Sequence, residues 1–190
     1  PALPIHSTQE FIAYAKAHPG KLNFGFPTGT LPHLTGELFR MRTGIEPVFI
    51  PYKTAANTIT DLVAGQIQLI CASTPTLVSL ISGGKLRGLG VTTLNPTSLA
   101  PGLRPINAAV RGFEVQGWYG LFAPAGTPPA IVAQLNADLN ALLQQPDIRD
   151  TLARQDLNPV GGSPERFGEM VKRDLARWSR VVTAAKIKAD

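Results

Sequence analysis

Thr28, Gly29 and Thr30 form a small, uncharged turn between a strand-like "KLNFGF" and a helix-like "PHLTGELFRMRTG". Two further turns, Tyr52 to Ala55 and Ala72 to Thr76, have the same make-up and also stand between an apolar run and a helical pattern. The first N–H groups of a helix lack intrahelical partners and carry the positive end of its dipole, so such turns suit a carboxylate or a phosphate. Thr28, Thr30, Thr54, Ser73 and Thr74 add neutral hydroxyl donors. A plainer role is open to Thr30 and Thr54, which fit as N-caps. In an open parallel sheet, however, ligands bind where strands turn into helices. Thr28, Gly29, Thr30, Ser73 and Thr74 are therefore expected to line one depression at the carboxyl edge of a sheet.

Catalytic chemistry finds little support. The first turn has no P-loop Lys, and no Ser stands in a GxSxG setting. Glu37 and Asp61 fall inside helical patterns, where solvation is the ordinary account. His33 lies in a first helical turn, a position that usually packs or hydrogen-bonds, and an enzyme reading would rest on His33 and Tyr52 alone. His6, His18 and His33 show no ligand spacing, so no metal site is expected. Cys71 is the one cysteine, inside "IQLICAS", which excludes an intrachain disulfide and suggests a buried small hydrophobe. No cofactor is expected.

The elements that would hold these turns alternate regularly. Ser7 with Glu10 reads as a capping box opening a helix that stops before Pro19-Gly20. "KLNFGF", "EPVFIPY", "IQLICAS" and "LRGLGVTT" read as strands, separated by helices over "PHLTGELFRMRTG", "TAANTITDLVAGQ" and "PTLVSLISGG". That alternation predicts, over residues 21–92, a compact and mostly parallel sheet with helices on both faces. After a connection rich in Pro and Gly, "FEVQGWYGLFAP" reads as a long strand over 113–123. Thr127 at the N-cap with Pro128 at N1 predicts a helix lined by Ile131, Leu135, Leu139 and Leu142. "PDIRDTLARQ" reads as a second helix and "LNPVGG" as a short strand. Ser163-Pro164 opens a last helix carrying Phe167, Val171, Leu175, Trp178 and Val182 on one side. These C-terminal faces need a sheet to cover, and the chain after residue 113 supplies little of one.

Composition sets the frame. The chain has 190 residues, 44% hydrophobic and 16% charged, enough to bury a core. Its net charge of +5 favours anionic partners. The densest cations, Lys172, Arg173, Arg177 and Arg180, alternate with Glu169 and Asp174 as on a solvated helix face, so no nucleic-acid partner is expected. No apolar run approaches the ~20 residues of a membrane span. The opening "PALPIHS" carries no signal peptide and fits a mature or trimmed product.

Several separate motifs in order resemble the extracytoplasmic substrate-binding receptors of tripartite tricarboxylate transporters, the Bug family. They are "KLNFGFPTGTLPHLTGELF" (21–39), "IPYK" (50–53), "DLVAGQIQ" (61–68), "GKLRGLGVT" (84–92), "GFEVQGWYGLFAPAGTP" (112–128), "LNPVGGSPERF" (157–167) and "RWSRVVTAAKIKAD" (177–190). The resemblance implies an α/β, periplasmic-binding-protein-like (type II) fold with a mostly parallel sheet flanked by helices. It implies a periplasmic location, capture of a small organic carboxylate for membrane transporter subunits, no cofactor and no reaction. Its hydroxyl-rich loop falls on Thr28, Gly29, Thr30 and Leu31. A second family loop falls on Cys71, Ala72, Ser73, Thr74 and Pro75. The family's frequent Asp in that loop is Ala72 here, which makes an amino-acid ligand less apt than a plain carboxylate.

Family members also carry a longer N-terminal part that builds most of their first domain. By that resemblance residues 1–112 correspond to the second α/β domain, and 113–190 to the crossover strand and C-terminal helices of a first domain left incomplete. The ligand-binding set is then Thr28, Gly29, Thr30, Leu31, Ala72, Ser73 and Thr74. The alternative is a shortened, non-transporting relative acting as an interaction or self-associating protein. Leu135, Leu139, Leu142, Val171, Leu175 and Trp178 can be covered by folding back onto the chain's own first sheet or by a second copy; the second is expected, in a homodimer that exchanges the strand around Trp118 and Tyr119.

Overall fold

The computed structural model describes residues 3–187, so the last three residues of the "RWSRVVTAAKIKAD" motif lie outside it. The chain divides into two compact units, one of residues 3–117 with 181–187 and the other Trp118–Arg180.

The first unit is built on three parallel strands, β1 (Asn23–Pro27), β2 (Val48–Tyr52) and β3 (Leu69–Ile70), in the order β2-β1-β3. The helices of this unit are α1 (Thr8–Ala17), α2 (Leu31–Thr43), α3 (Ala55–Val63) and α4 (Thr74–Ser82). Pleat alternation divides the central strand between two layers. Phe24 and Phe26 pack against Phe49 of β2 on one face, tilted and edge-on, and Gly36 of α2 lies so close to the Phe24 ring that a Cβ there would overlap it. On the opposite face a Cβ at Gly25 would run into Ile67, Thr58 of α3 and Tyr52. Helices thus cover both faces, as the strand–helix alternation predicts, and every pairing in the sheet is parallel. Phe11, Phe39 and Phe113 close the core on the α2 side through ring contacts at 6.2 and 5.6 Å.

Two sequence expectations for this unit are corrected. "LRGLGVTT" does not form a fourth strand: Val91 makes only an isolated parallel bridge to Pro105. The Val91 N–H donates to the Arg104 carbonyl and the Ile106 N–H to the Val91 carbonyl, so the segment is paired with 104–106 instead of with β3. "IQLICAS" is regular only over Leu69–Ile70, where it pairs with Phe24 and Gly25 of β1.

The second unit contains α5 (Pro129–Leu142), α6 (Pro146–Ala153) and most of α7 (Pro164–Ala184), and among the described residues it has no strand. "FEVQGWYGLFAP" is not the long strand expected over 113–123. A strand is closed only by a neighbour's backbone, and past the Val115 N–H, which donates to the Thr92 carbonyl, residues 116–123 make no backbone–backbone hydrogen bond with any described residue. Side chains hold the segment instead. The Trp118 indole N–H donates to Asp174 at 2.6 Å, and Trp118 and Phe122 pack on the Phe167 ring at 5.4 and 5.1 Å. "LNPVGG" is also not a strand, because Gly161 and Gly162 take positive φ angles of 61° and 115° and the loop is clamped by Asn136 and Asn140, both donating to the Gly162 carbonyl. The α5 N-cap is Pro128 instead of Thr127. The Thr127 hydroxyl donates to the Pro124 carbonyl. Ser163 caps α7 as expected, accepting from the Arg166 N–H.

Candidate functional site

The parallel register decides which turns stand together. β1 and β2 are offset by 25 residue numbers (Pro27 opposite Tyr52), and β1 and β3 by 45 (Gly25 opposite Ile70). β1 and β2 end level, so the turns that follow Pro27 and Tyr52 leave the sheet side by side, and β3 ends at Ile70 on the other side of β1, three residues before Ser73. Adjacent strands lie about 4.8 Å apart, so the three turns form a row along the carboxyl edge of the sheet. Of the expected site residues, Thr28, Gly29, Thr30 and Leu31 lead from β1 into α2, and Ala72, Ser73 and Thr74 lead from β3 into α4 at the same edge.

The helix starts supply donors. The N–H groups of Thr30, Leu31 and Thr74 make no backbone bond, as the first N–H groups of a helix generally do not. The hydroxyls are more committed. Thr30 stands at the N-cap of α2 but makes no side-chain cap; its hydroxyl donates to the Pro27 carbonyl at 2.6 Å, so its proton closes the turn. Ser73 likewise caps nothing by its side chain, and its Oγ shares a hydrogen bond with Thr76 Oγ1 at 2.6 Å, which leaves one of the two protons free. Thr54 is a true N-cap, accepting from the Asn57 N–H at 3.2 Å. Thr28, Gly29 and Ser73 are exposed, and Thr30, Leu31, Ala72 and Thr74 are half-buried.

His33 is buried and acts on the turn through its ring. It stacks on Phe26 with centroids 4.0 Å apart, and its Nδ1 accepts the Gly29 N–H at 3.4 Å. Desolvation holds its pKa below the ordinary 6.5, against the opposing pull of Glu37. A neutral acceptor ring fixed in this way orients Gly29 and is not placed as a free base. The two acids expected to be merely solvated have partners. Glu37 is buried and takes the Arg40 Nε at 2.8 Å, since a buried charge must be paired. Asp61 accepts the Tyr52 hydroxyl at 2.7 Å, a bond that raises the phenol's pKa. Tyr52 is thereby tied to α3. Cys71 is half-buried, and burial of its thiol pushes the pKa up to about 12, so it is not a thiolate nucleophile. Among the described residues no cluster of His, Cys, Asp or Glu could hold a metal ion.

A groove of about 470 Å³ lies in the second unit, between Thr127, Pro129, Val132 and Asn136 at the start of α5 and Pro164 and Glu165 at the start of α7. It contains none of the residues in the row. Its only charged lining group is the Glu165 carboxylate, which would oppose an anion.

The profile of the tripartite tricarboxylate transporter family receptor, TctC, matches residues 1–187. The chain belongs to that family. A UPF0065 protein in the tcbD-tcbE intergenic region of a Pseudomonas species is 32% identical over 184 residues, covering 95% of this chain and 55% of its own. Protein BugT of Bordetella pertussis is 31% identical over 99% of this chain and 59% of its own. Among solved structures, an R. palustris protein with adipate superposes with a TM-score of 0.85 at 34% identity, covering 98% of this chain and 63% of that one. The periplasmic binding protein BugD gives 0.82 at 27% identity, covering 100% and 63%. MatC from Rhodopseudomonas palustris with bound malate gives 0.74 at 28% identity, covering 94% and 63%. The chain thus spans between about half and two thirds of the length of these relatives. The TctC family fold is that of periplasmic binding proteins, and it agrees with the parallel sheet flanked by helices described above.

Lys53 and the Tyr52–Asp61 pair were not among the site residues read from the sequence. For Lys53 a signal was available, since "IPYK" ends a strand, and the pairing of Pro27 with Tyr52 shows that the turns after these two strands begin side by side.

Proposed function

We propose that this TctC family chain belongs to a periplasmic solute-binding receptor that captures a small organic carboxylate and presents it to the membrane subunits of a tripartite tricarboxylate transporter. The observation that carries the reading is the shared carboxyl edge of the parallel strands β1 and β3, where the turns of Thr28 and Ser73 open into α2 and α4 with their first N–H groups unpaired. One carboxylate oxygen is taken by the Thr30 and Leu31 amides and the other by the Thr74 amide with the Ser73–Thr76 hydroxyl pair. Gly29, Leu31 and Ala72 contribute shape and backbone. Binding of adipate and malate by structural neighbours supports a carboxylate ligand. Ala72 offers no charge for a ligand amine, which favours a plain carboxylate over an amino acid. The role is binding without catalysis, because His33, Tyr52 and Cys71 are committed or inert as described.

In this reading residues 1–112 act as one α/β domain of a two-domain receptor and 113–190 as part of the other. Tyr119, Leu135 and Leu175 are exposed in the single chain at 87%, 56% and 63%, which supports their burial against a second copy. Light scattering across a concentration series tests that self-association, and a strict monomer at all concentrations overturns it.

Calorimetric titration with malate, adipate, aspartate and the corresponding monocarboxylates tests the function. Saturable binding of the plain carboxylates, weaker for aspartate, is the expected result. Silence across the panel from a folded sample contradicts the receptor role.

A further inference from the structure

Two side-chain bonds close the turn between β1 and α2. The Thr30 hydroxyl donates to the Pro27 carbonyl at 2.6 Å, and the Gly29 N–H donates to Nδ1 of His33 at 3.4 Å. The two bonds differ in kind. A hydroxyl keeps its proton at any ordinary pH, whereas an imidazole accepts at Nδ1 only while it is neutral, with its proton on Nε2. Gly29 can follow a change in that bond. Its φ is 71°, in the region that glycine occupies without strain, and no atom lies within 4 Å of the place a Cβ would take.

The surroundings of the ring favour its neutral form. His33 is 8% exposed and lies against Phe26 of β1 and Phe49 of β2, with centroids at 4.0 and 6.4 Å, and neither ring carries charge. The charged group acting on it is Glu37, one turn further along α2, whose carboxylate is held by Arg40 at 2.8 Å. Burial outweighs that pull and keeps the pKa below 6.5. A buried His can also serve only to fill space on Phe26. A phenyl ring would fill it equally well, but a phenyl ring could not hold the Gly29 amide.

We infer that His33 is a positioning residue and a proton switch for the Thr28–Leu31 turn. Neutral, it holds the Gly29 amide. When Nδ1 takes up a proton from solvent it becomes a donor facing a donor, the hydrogen bond is lost, and the turn adopts a second conformation. The switch needs no ligand, so it stands apart from the carboxylate reading of the same turn.

Amide and imidazole 15N shifts of the labelled chain, followed from neutral pH to well below 6.5, test the switch in the wild type, His33→Asn and His33→Phe. Circular dichroism follows the fold in the same samples. At neutral pH the wild-type ring should show a bare Nδ1 and a protonated Nε2. As the ring titrates, the Gly29 amide should move with the same midpoint. His33→Asn offers an amide oxygen in place of Nδ1 and takes up no proton in this range, so Gly29 should stay at its neutral-pH position throughout. In His33→Phe the Gly29 amide should be displaced at every pH, without a transition. A proton on Nδ1 at neutral pH, a Gly29 amide that stays fixed while the ring titrates, or the same transition in either variant would overturn the switch. So would unfolding of the wild type before the ring takes up its proton.

Discussion

The two units of the chain obey the same local rules and end differently. In the first, Phe24 and Phe113 are 2% and 1% exposed, and every buried hydrophobic residue among those described lies in this unit. Between Trp118 and Arg180 no described residue is buried at all, although α5 and α7 are longer than most helices of the first unit. Helices form in both because each closes its hydrogen bonds within its own backbone. A core forms only where a sheet gives those helices a common apolar surface, and in the second unit the segments with strand-like composition have no neighbour to pair with. Periodicity thus specifies a helix on its own, whereas a strand and a core depend on what else the chain brings alongside.

Substitutions should separate the units sharply. Phe24→Ala or Phe113→Ala should cost about 3–5 kcal/mol in urea unfolding, the usual range for emptying a packed aromatic site. Leu135→Ala, at an exposed position, should stay within about 0.5 kcal/mol in the same measurement. Similar losses at Leu135 and Phe24 would break the contrast. Gly36→Ala comes next: its new Cβ meets the Phe24 ring, and overpacking of this kind costs about 1–3 kcal/mol. The same change at Gly168 of α7, where a Cβ meets nothing within 4 Å, should be neutral or slightly stabilising, because Ala is the better helix former. Thr54→Ala removes the α3 cap and should cost about 1 kcal/mol. Thr30→Ala, at a cap position whose side chain does not cap, tests whether the bond to Pro27 is worth as much.

The smallest effect expected is on pH. His33 is buried with its pKa below the ordinary 6.5, so the unfolded chain takes up its proton first as pH falls. Stability attributed to His33 is therefore whole above pH 6.5 and declines below it, until the folded ring also protonates. A melting temperature that falls from pH 6.5 to 5.5, with a shallower fall in His33→Gln, is the expected outcome. Identical slopes in the two proteins would show that the ring is not the group responsible.

Much of the first unit was legible in the sequence because its signals are local. Ser7 and Glu10, Thr54, and the stop at Gly44 mark helix ends whose geometry involves only a few residues. Leu34 to Phe39 likewise could be read as a helix against a sheet. What could not be read is pairing. "LRGLGVTT" has the apolar character of a strand, yet Val91 bonds with Arg104 and Ile106, a choice made by the later chain. The site was half legible for the same reason. The hydroxyl turns were visible as helix starts, but that Thr30 spends its proton on Pro27, and that β1 and β2 end level at Pro27 and Tyr52, depends on turn geometry and register. Glu37 shows the converse: isolated in sequence it looks like a solvated acid, and only its pairing with Arg40 explains its burial.

The central claim is that the strand-end row of the first unit, and not the groove of the second, receives the carboxylate. Amide chemical shifts of the 15N-labelled chain during titration with adipate test it most directly. The account predicts saturable, concentration-dependent shifts at Thr28 to Leu31 and at Ser73 and Thr74, with α5 and the start of α7 unmoved. Shifts confined to Val132, Asn136 and Glu165, with the row silent, would contradict it.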